Sequence, residues 1–172
     1  AGTARPGRMN PLAGIKDSIL IDDTYNASPE AVTAALDYMY SQKAPQRIAL
    51  LGNMNELGET SQDEHTKIGA YCDPKKLDLV VTLGPDANQF TAPAAKEAGC
   101  NVATAQTPYQ AAEIITDQLQ EGALVLLKGS QNGVFAEEAT KLLLANQQDA
   151  NKLVRQSAFW HKKKAASFQE VS

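Results

Sequence analysis

Short apolar runs alternate with longer segments of helical periodicity along most of this chain, and that alternation limits the folds open to it. The apolar runs predict strands at 18–23, 47–51, 77–83, 101–103 and 124–127. The intervening segments predict helices at 29–41, about 61–72, about 90–98, 108–120 and 134–146. Because strands separated by such helices join through right-handed crossovers, the sequence predicts a doubly wound α/β fold. Its sheet should be mostly parallel, with helices on both faces.

The composition is that of an ordinary globular protein and argues against several classes of function. The 172 residues are 43% hydrophobic and 21% charged, enough for one domain with a short appendage. The net charge of −4 argues against a general nucleic-acid or membrane-surface role. No apolar run approaches the roughly 18 residues of a membrane span, and the two cysteines lack the spacing of a zinc or redox motif. We therefore expect a cytoplasmic protein with no nucleic-acid partner and no membrane span.

Shifts in composition divide the chain into three parts. Residues 1–14 are rich in Gly, Pro and Arg and predict a linker or a strand that leads into the domain. Residues 15–148 form the predicted α/β domain. Residues 149–172 are a basic, aromatic C-terminal tail, which contains Trp160, the single tryptophan of the chain. The tail is interpreted either as an appended helix whose aromatic side chains dock on the domain or as a contact surface for a partner or an anionic ligand.

A run of polar residues from Asp22 to Ser28 follows the first predicted strand and indicates a binding site. Ligands of open α/β sheets bind at the carboxyl ends of strands, and a helix start adds backbone donors for anions. Since successive strand side chains point to opposite faces, Asp22 and Asp23 are expected to differ in role. One would accept a hydrogen bond from a ribose hydroxyl or a substrate amine, and the other would cap backbone donors. The alternative is that both are turn and cap residues.

Two further loops follow predicted strands. The loop 51–59 is bounded by glycines, although it is not a dinucleotide fingerprint. The other loop consists of Lys128, Gly129, Ser130, Gln131, Asn132 and Gly133. It offers one cation, one hydroxyl and two amides, which suit a carboxylate or phosphate oxygen. All three loops should converge on one rim, yet the sequence has no Walker A motif, metal cluster or nucleophile–base pair, so we predict ligand binding without independent ATP chemistry.

Taken in order, these motifs resemble the C-terminal domain of the Mur ligases over about residues 5–147. The matching elements are Gly7-Arg8, the stretch 22–29 (Asp-Asp-Thr-Tyr-Asn-Ala-Ser-Pro), the loop 51–59 with His65, and 128–130. The stretch 22–29 is the specific one, because the related glutamate, diaminopimelate and folylpolyglutamate ligases carry other residues there. Within the family, this stretch favours the branch that adds D-alanyl-D-alanine to UDP-MurNAc-tripeptide.

The resemblance implies a Rossmann-like third domain of a three-domain ligase. In such enzymes the N-terminal domain holds the UDP-MurNAc-peptide, and the central domain carries the P-loop and the Mg ligands. ATP phosphorylates the tripeptide carboxylate, and the amine of D-alanyl-D-alanine attacks the acyl phosphate. The third domain acts as a lid that brings the dipeptide and completes the ATP site. This domain is accordingly expected to contain no catalytic residue and no metal ligand, and to be inactive in isolation.

The same resemblance implies two sets of site residues. The set that contacts ATP comprises Arg8, Asp23 with Asp22 as the alternative, Tyr25 and Asn26. The set that contacts the incoming dipeptide comprises Asn26, Ser28, Lys128, Ser130, Gln131 and Asn132.

Two positions depart from the family pattern. Asn53 stands where the family usually has Asp, and Gln131 stands where Arg is common. Loss of that arginine removes a bidentate partner for a carboxylate. A paralogue that acts on another amino substrate is therefore an open alternative. A second alternative is a free-standing α/β binding or regulatory module, for which the tail would be the partner surface.

Overall fold

The computed structural model describes residues 5–129 and 133–169 of the chain, and a six-stranded sheet lies at its centre. The strands are β1 Asn10–Ala13, β2 Ile19–Asp23, β3 Arg47–Gly52, β4 Leu79–Leu83, β5 Val102–Ala105 and β6 Leu124–Lys128. Their order across the sheet is β1-β2-β6-β3-β4-β5. Strand β1 runs antiparallel to β2, whereas the other neighbouring pairs are parallel. The ends of β2, β6 and β3 therefore meet side by side.

The α-helices in the described ranges are α1 Pro29–Ser41, α2 Ser61–Tyr71, α3 Ala92–Glu97, α4 Pro108–Gln118, α5 Glu137–Leu143 and α6 Ala158–Gln169. Two of them begin with a capping residue followed by proline, as the sequence pattern predicts. The Ser28 hydroxyl accepts a hydrogen bond from the Ala31 N–H at 3.2 Å, and Thr107 caps α4 in the same way. None of these helices is both long and apolar enough to cross a membrane.

The predicted fold class is confirmed, and the differences lie in the element boundaries. Part of the segment 1–14 joins the sheet as β1. The sequence pattern predicts a helix over 134–146, but α5 covers only Glu137–Leu143. It starts late because Phe135 has a left-handed backbone, with φ of 51°. It ends early because Leu144 forms a β-bridge with Gly14 instead of continuing the helix.

Alternation along the strands divides the core into two layers, one on each face of the sheet. On one face, Leu50 and Leu127 pack in a cluster that includes Ile115 of α4 and Leu143 of α5. On the other face, Leu51 belongs to a cluster with residues of α1, α2 and α3. Burial on both faces explains why the central strands are apolar throughout. The charged and polar residues that interrupt this pattern, at the carboxyl ends of β2 and β6, therefore need a separate explanation.

The C-terminal tail packs on the domain through its helix α6. The Trp160 ring lies 6.1 Å from that of Phe135, and the Phe168 ring lies 5.1 Å from that of Tyr109 on α4. Lys164, in the middle of α6, is only 2% exposed. These contacts place α6 against α4 and the segment that precedes α5.

Candidate functional site

The side chains of the two aspartates at the end of β2 lie in different surroundings. Asp22 is fully buried and its carboxylate lies 3.4 Å from the Thr140 hydroxyl of α5. Asp23 faces the other side of the sheet, where its carboxylate meets Lys128 and the Met9 N–H. The divergence expected from their adjacent strand positions is therefore present. The Asp23 carboxylate is the one that lines a cavity.

A cavity of about 420 Å³, called here the turn cavity, opens beside Asp23. Its lining residues are Gly7, Arg8, Met9, Asp23, Tyr25, Asn26, Ala31, Ala34, Ala35 and Lys128. The predicted site residues Arg8, Asp23, Tyr25, Asn26 and Lys128 are thus brought together around one space. This volume lies in the range of small-molecule sites, which combine apolar walls with a few polar groups.

Lys128 and Asp23 form a largely buried ion pair at the base of the turn cavity. Lys128 Nζ lies 3.0 Å from Asp23 Oδ2, with side-chain exposures of 3% and 12%. The ammonium also donates to the backbone carbonyl of Asn26. Burial lowers the pKa of Lys128, and the attraction of Asp23 opposes that effect. The pair therefore presents a cation and a carboxylate oxygen in a poorly solvated place.

Gly7 and Arg8 hold the other wall of the cavity against the turn. The Tyr25 N–H donates to the Gly7 carbonyl at 2.9 Å, and the Arg8 guanidinium lies 4.2 Å from the centre of the Tyr25 ring. Gly7 has φ of +71°, and a Cβ atom there would lie 2.8 Å from the Tyr25 nitrogen. Only glycine fits this close approach without strain. The segment before β1 is thus part of the site and not merely a connection.

The remaining predicted residues of the turn and of the last loop are placed differently. Asn26 lines the cavity, and its side-chain oxygen accepts from the Ala27 N–H at 2.9 Å. The Ser28 hydroxyl is used as the cap of α1 and is not part of the lining. Ser130, Gln131 and Asn132, predicted near the dipeptide, lie outside the described residues.

Asp22 is a buried carboxyl group with incomplete hydrogen bonding. Thr24 Oγ1 donates to its Oδ1 at 2.8 Å, whereas Oδ2 has no hydrogen-bond partner among the described residues. Burial, reinforced by the nearby negative charge of Glu137, raises the pKa of Asp22 from 3.8 to about 6. The geometry gives Asp22 a place in the packing between β2 and α5, and not in the turn cavity.

The loop after β3 is fixed by its own polar contacts. The Asn53 side-chain oxygen accepts from the Ala87 N–H at 2.9 Å. His65 Nε2 accepts from the Met54 N–H at 3.0 Å, so Nδ1 carries the proton and can donate to the Ser61 carbonyl at 2.8 Å. Asn53 lines a separate cavity of about 500 Å³. Among the predicted loops, the one after β3 therefore opens away from the turn cavity.

Sequence reasoning missed a buried charged cluster that links the tail to α5. Glu137, at 0% exposure, accepts from Arg155 Nε and Nη2 at 3.0 and 2.9 Å and lies 3.1 Å from Lys164 Nζ. Lys164 Nζ also lies 2.9 Å from Glu138. Arg155 Nη2 donates to the Thr24 carbonyl at 2.6 Å, which joins the cluster to the turn. The spacing of these charges has no distinctive signal, since charged helix residues usually face solvent.

The turn cavity can bind a ligand that is anionic at one point and carries hydroxyl groups at another. Arg8 and Lys128 offer positive charge, and Asp23 Oδ2 can accept a hydrogen bond. Within residues 5–129 and 133–169, no three His, Cys, Asp or Glu side chains are arranged to hold a metal ion. The positive charges and the carboxylate acceptor of the turn cavity are compatible with the phosphates and ribose of the nucleotide that the sequence resemblance implies.

Comparison with known proteins agrees with that resemblance. The family described as "Mur ligase, glutamate ligase domain" matches residues 7–131. The UDP-N-acetylmuramoyl-tripeptide–D-alanyl-D-alanine ligase of Synechocystis is 31% identical over 144 residues, covering 81% of this chain and 31% of that protein. Its Escherichia coli counterpart is 27% identical over 143 residues, covering 83% and 30%. The chain thus spans about a third of the length of these relatives.

Solved structures give the same result at the level of the fold. The MurF ligase of Thermotoga maritima in complex with ADP superposes with a TM-score of 0.71 at 25% identity, covering 88% of this chain and 33% of that one. A MurF of Acinetobacter baumannii gives 0.65 at 28% identity, covering 81% and 30%. The family match spans well over half of the chain. This chain therefore belongs to the Mur ligase family, and it corresponds to the C-terminal domain of those enzymes.

Proposed function

We propose that this chain is the nucleotide- and amino-substrate-binding domain of a MurF-type ligase. The whole enzyme would add D-alanyl-D-alanine to UDP-MurNAc-tripeptide, the reaction named for the curated relatives. The observation that carries the proposal is the turn cavity, in which Asp23, Lys128, Arg8 and Tyr25 meet. We further propose that 1–14 is an entry segment which contributes β1 to the sheet, that 15–148 is the rest of the α/β domain, and that 149–172 is a tail joined to it.

The turn cavity would hold the ribose and phosphate groups of ATP. Asp23 Oδ2 accepts hydrogen bonds and would take one from a ribose hydroxyl. Arg8 forms no ion pair among the described residues, and it would meet a phosphate oxygen. The Arg8 guanidinium lies over the Tyr25 ring, and this contact would restrict its conformations before a ligand arrives and so lower the entropy cost of binding. The Thermotoga MurF ligase was solved as a complex with ADP, which supports nucleotide binding for the family.

Lys128 would connect the nucleotide with the amino substrate. Its ammonium is held between Asp23 and the Asn26 carbonyl, on the loop expected to receive the dipeptide carboxylate. In the proposed reaction, the tripeptide carboxylate takes the terminal phosphoryl group of ATP, ADP leaves, and the amine of the dipeptide then displaces phosphate. The P-loop and the Mg ligands would come from the central domain. The present domain would close over them as a lid that excludes water, and would be inactive alone.

The test uses the ligase that contains this domain. Phosphate release is measured with ATP and UDP-MurNAc-tripeptide in the presence of D-alanyl-D-alanine, D-alanine or other dipeptides. Release that depends on D-alanyl-D-alanine is the expected result. Release with another amino component would identify a paralogue instead. A natural gene product whose intact mass leaves no room for a P-loop domain would overturn the ligase function and leave a binding module.

A further inference from the structure

The tail and the segment before β1 enclose a second cavity of about 590 Å³, called here the tail cavity. Arg5, Arg8 and Tyr25 line one side of it, and Arg155 and Trp160 of the tail line the other. Arg8 and Tyr25 also line the turn cavity. The two cavities are therefore neighbours that share a wall made by one stacked pair of side chains.

The tail wall of this cavity is held rigidly. Arg155 donates to the Thr24 carbonyl at 2.6 Å and makes two hydrogen bonds with Glu137, which is fully buried. Trp160 is half-buried, and its ring packs edge-on against Phe135 at 6.1 Å. The Trp160 ring also contacts the Phe159 ring at 5.4 Å and the Lys163 ammonium at 5.1 Å, so it can present its remaining surface to a ligand at little entropy cost. The tail is thus tied to the same turn that carries Tyr25.

The lining of the tail cavity has a distinct chemistry. It contains two aromatic rings, Tyr25 and Trp160, and no carboxylate among the described residues. Arg155 is neutralised by Glu137, whereas Arg5 and Arg8 form no ion pair within the described part of the chain. Positive charge beside aromatic faces suits a ligand that is both anionic and planar. A nucleotide has this combination, because its base stacks on aromatic rings while its phosphates meet cations.

We propose that the C-terminal tail is part of the nucleotide site, with Trp160 forming the wall on which the base stacks. The proposal rests on the proposed function, in which ribose and phosphate occupy the turn cavity beside Asp23 and Lys128. The nucleotide would then pass the shared Arg8–Tyr25 pair and place its adenine in the tail cavity. Trp160 lies beyond residues 7–131, the part of the chain that the family pattern covers. It would therefore be a specificity-determining residue particular to chains with such a tail.

The experiment compares W160F and W160L in the ligase that contains this domain. W160F keeps an aromatic face, whereas W160L keeps apolar packing against Phe135 and loses that face. Y38L is the matched control, because Tyr38 on α1 is also an exposed aromatic residue, at 40%, and lines neither cavity. Binding of ADP and of UDP-MurNAc-tripeptide is measured separately by calorimetry. Thermal melting of each variant checks that the domain remains folded.

The expected result is a roughly tenfold weaker ADP affinity in W160L, which corresponds to the loss of one base–aromatic stack, with W160F close to wild type. Binding of UDP-MurNAc-tripeptide should not change, and Y38L should bind both ligands as the wild type does. An unchanged ADP affinity in W160L would overturn the proposal. Weakened UDP-MurNAc-tripeptide binding instead of ADP binding would also overturn it, because the base would then be uracil.

This result is independent of the amino substrate. If ADP binds but D-alanyl-D-alanine triggers no phosphate release, the proposed function fails. The contribution of Trp160 is still decided by comparing the ADP affinities of the wild type and W160L. Conversely, an active ligase with an unaffected W160L variant rejects the tail proposal alone. The isolated chain adds a direct signal, because Trp160 is its single tryptophan. Quenching of its fluorescence by ADP and not by D-alanyl-D-alanine supports the proposal, and the reverse pattern contradicts it.

Discussion

Lys128 and Asp23 are register partners at the ends of adjacent parallel strands, and their side chains meet at 3.0 Å. The contact follows from topology, since β2 and β6 are neighbours and end at the same edge of the sheet. Neither charge is well solvated, with side-chain exposures of 3% and 12%. A buried pair of this kind is weak evidence for stability but is often retained at a binding site.

Replacement of Lys128 should reduce activity by more than the accompanying loss of stability can explain. K128M in the ligase removes the cation at the base of the turn cavity, and we expect kcat/KM to fall on the order of 100-fold, the effect of losing one preorganised charged donor. Asp23 keeps its hydrogen bond from the Met9 N–H but loses its cation, so the free energy of unfolding should also fall, and the kinetics must be measured well below the melting temperature. Steady-state kinetics and thermal melting measure the two effects. The control is K67M, because Lys67 pairs with Glu64 at 71% side-chain exposure. Equal kinetics in K128M and K67M would contradict the assignment of Lys128.

The approach of Gly7 to Tyr25 predicts a specific defect in nucleotide binding. In G7A, the new Cβ would lie 2.8 Å from the Tyr25 nitrogen, so the turn must shift. Because small displacements of positioning groups are costly, we expect the KM for ATP to rise on the order of tenfold. G122A is the control, since Gly122 also has a positive φ, +77°, but its Cβ would lie 3.5 Å from Pro45, an ordinary contact. Both variants should lose stability through backbone strain, and an equal KM in the two would exclude a role for Gly7 in the site.

Much of the fold and part of the site could be predicted because local patterns determine them. The alternation of apolar runs with helical segments indicated the parallel sheet. Because successive side chains of a strand point to opposite faces, Asp22 and Asp23 were expected in different surroundings. The convergence of strand ends predicted that Lys128 would lie near the turn that follows β2. In each case, the structural consequence depends on a regular geometry that every parallel sheet shares.

Other features depend on long-range contacts that no local pattern records. Phe135 adopts a left-handed backbone that delays α5, and no local pattern predicts that conformation. Glu137 would be expected on a solvated helix face, yet it is fully buried because Arg155 and Lys164 reach it from the tail. The loop after β3 does follow a strand end on the common rim, but Asn53 lines a cavity separate from the turn cavity. The pairing of charged residues far apart in the sequence was the main feature that could not be predicted.

Breaking the buried charged cluster should destabilise the fold. R155M leaves the Glu137 carboxylate, at 0% side-chain exposure, with Lys164 as its remaining cation. We expect the free energy of unfolding to fall by about 3–5 kcal/mol, the usual effect of removing one partner of a buried ion pair. Urea denaturation measures this change. K152M is the matched control in the tail, because the Lys152–Asp149 pair is 56% and 21% exposed and should contribute about 0–1 kcal/mol.

The double variant E137Q/R155M tests whether these two charges act together. If Arg155 serves mainly to neutralise Glu137, the double variant should lose less stability than the sum of the single variants, by about 1–3 kcal/mol. Additive losses would instead mean that the hydrogen bond from Arg155 to the Thr24 carbonyl carries the effect.

Asp22 should make the stability of the domain fall as the pH rises through the weakly acidic range. Its pKa is raised from 3.8 to about 6, mainly by burial, so the folded state binds a proton more tightly than the unfolded chain does. The stabilisation is complete below about pH 4 and is lost as the pH passes about 6, and it amounts to about 2–3 kcal/mol. D22N cannot ionise, so its free energy of unfolding relative to wild type should increase by that amount between about pH 4 and pH 7. Urea denaturation across this range measures the difference, with D117N, at an exposed helix position, as the control. A constant difference between D22N and wild type would show that the pKa of Asp22 is the same in the folded and the unfolded chain, which would contradict the raised pKa.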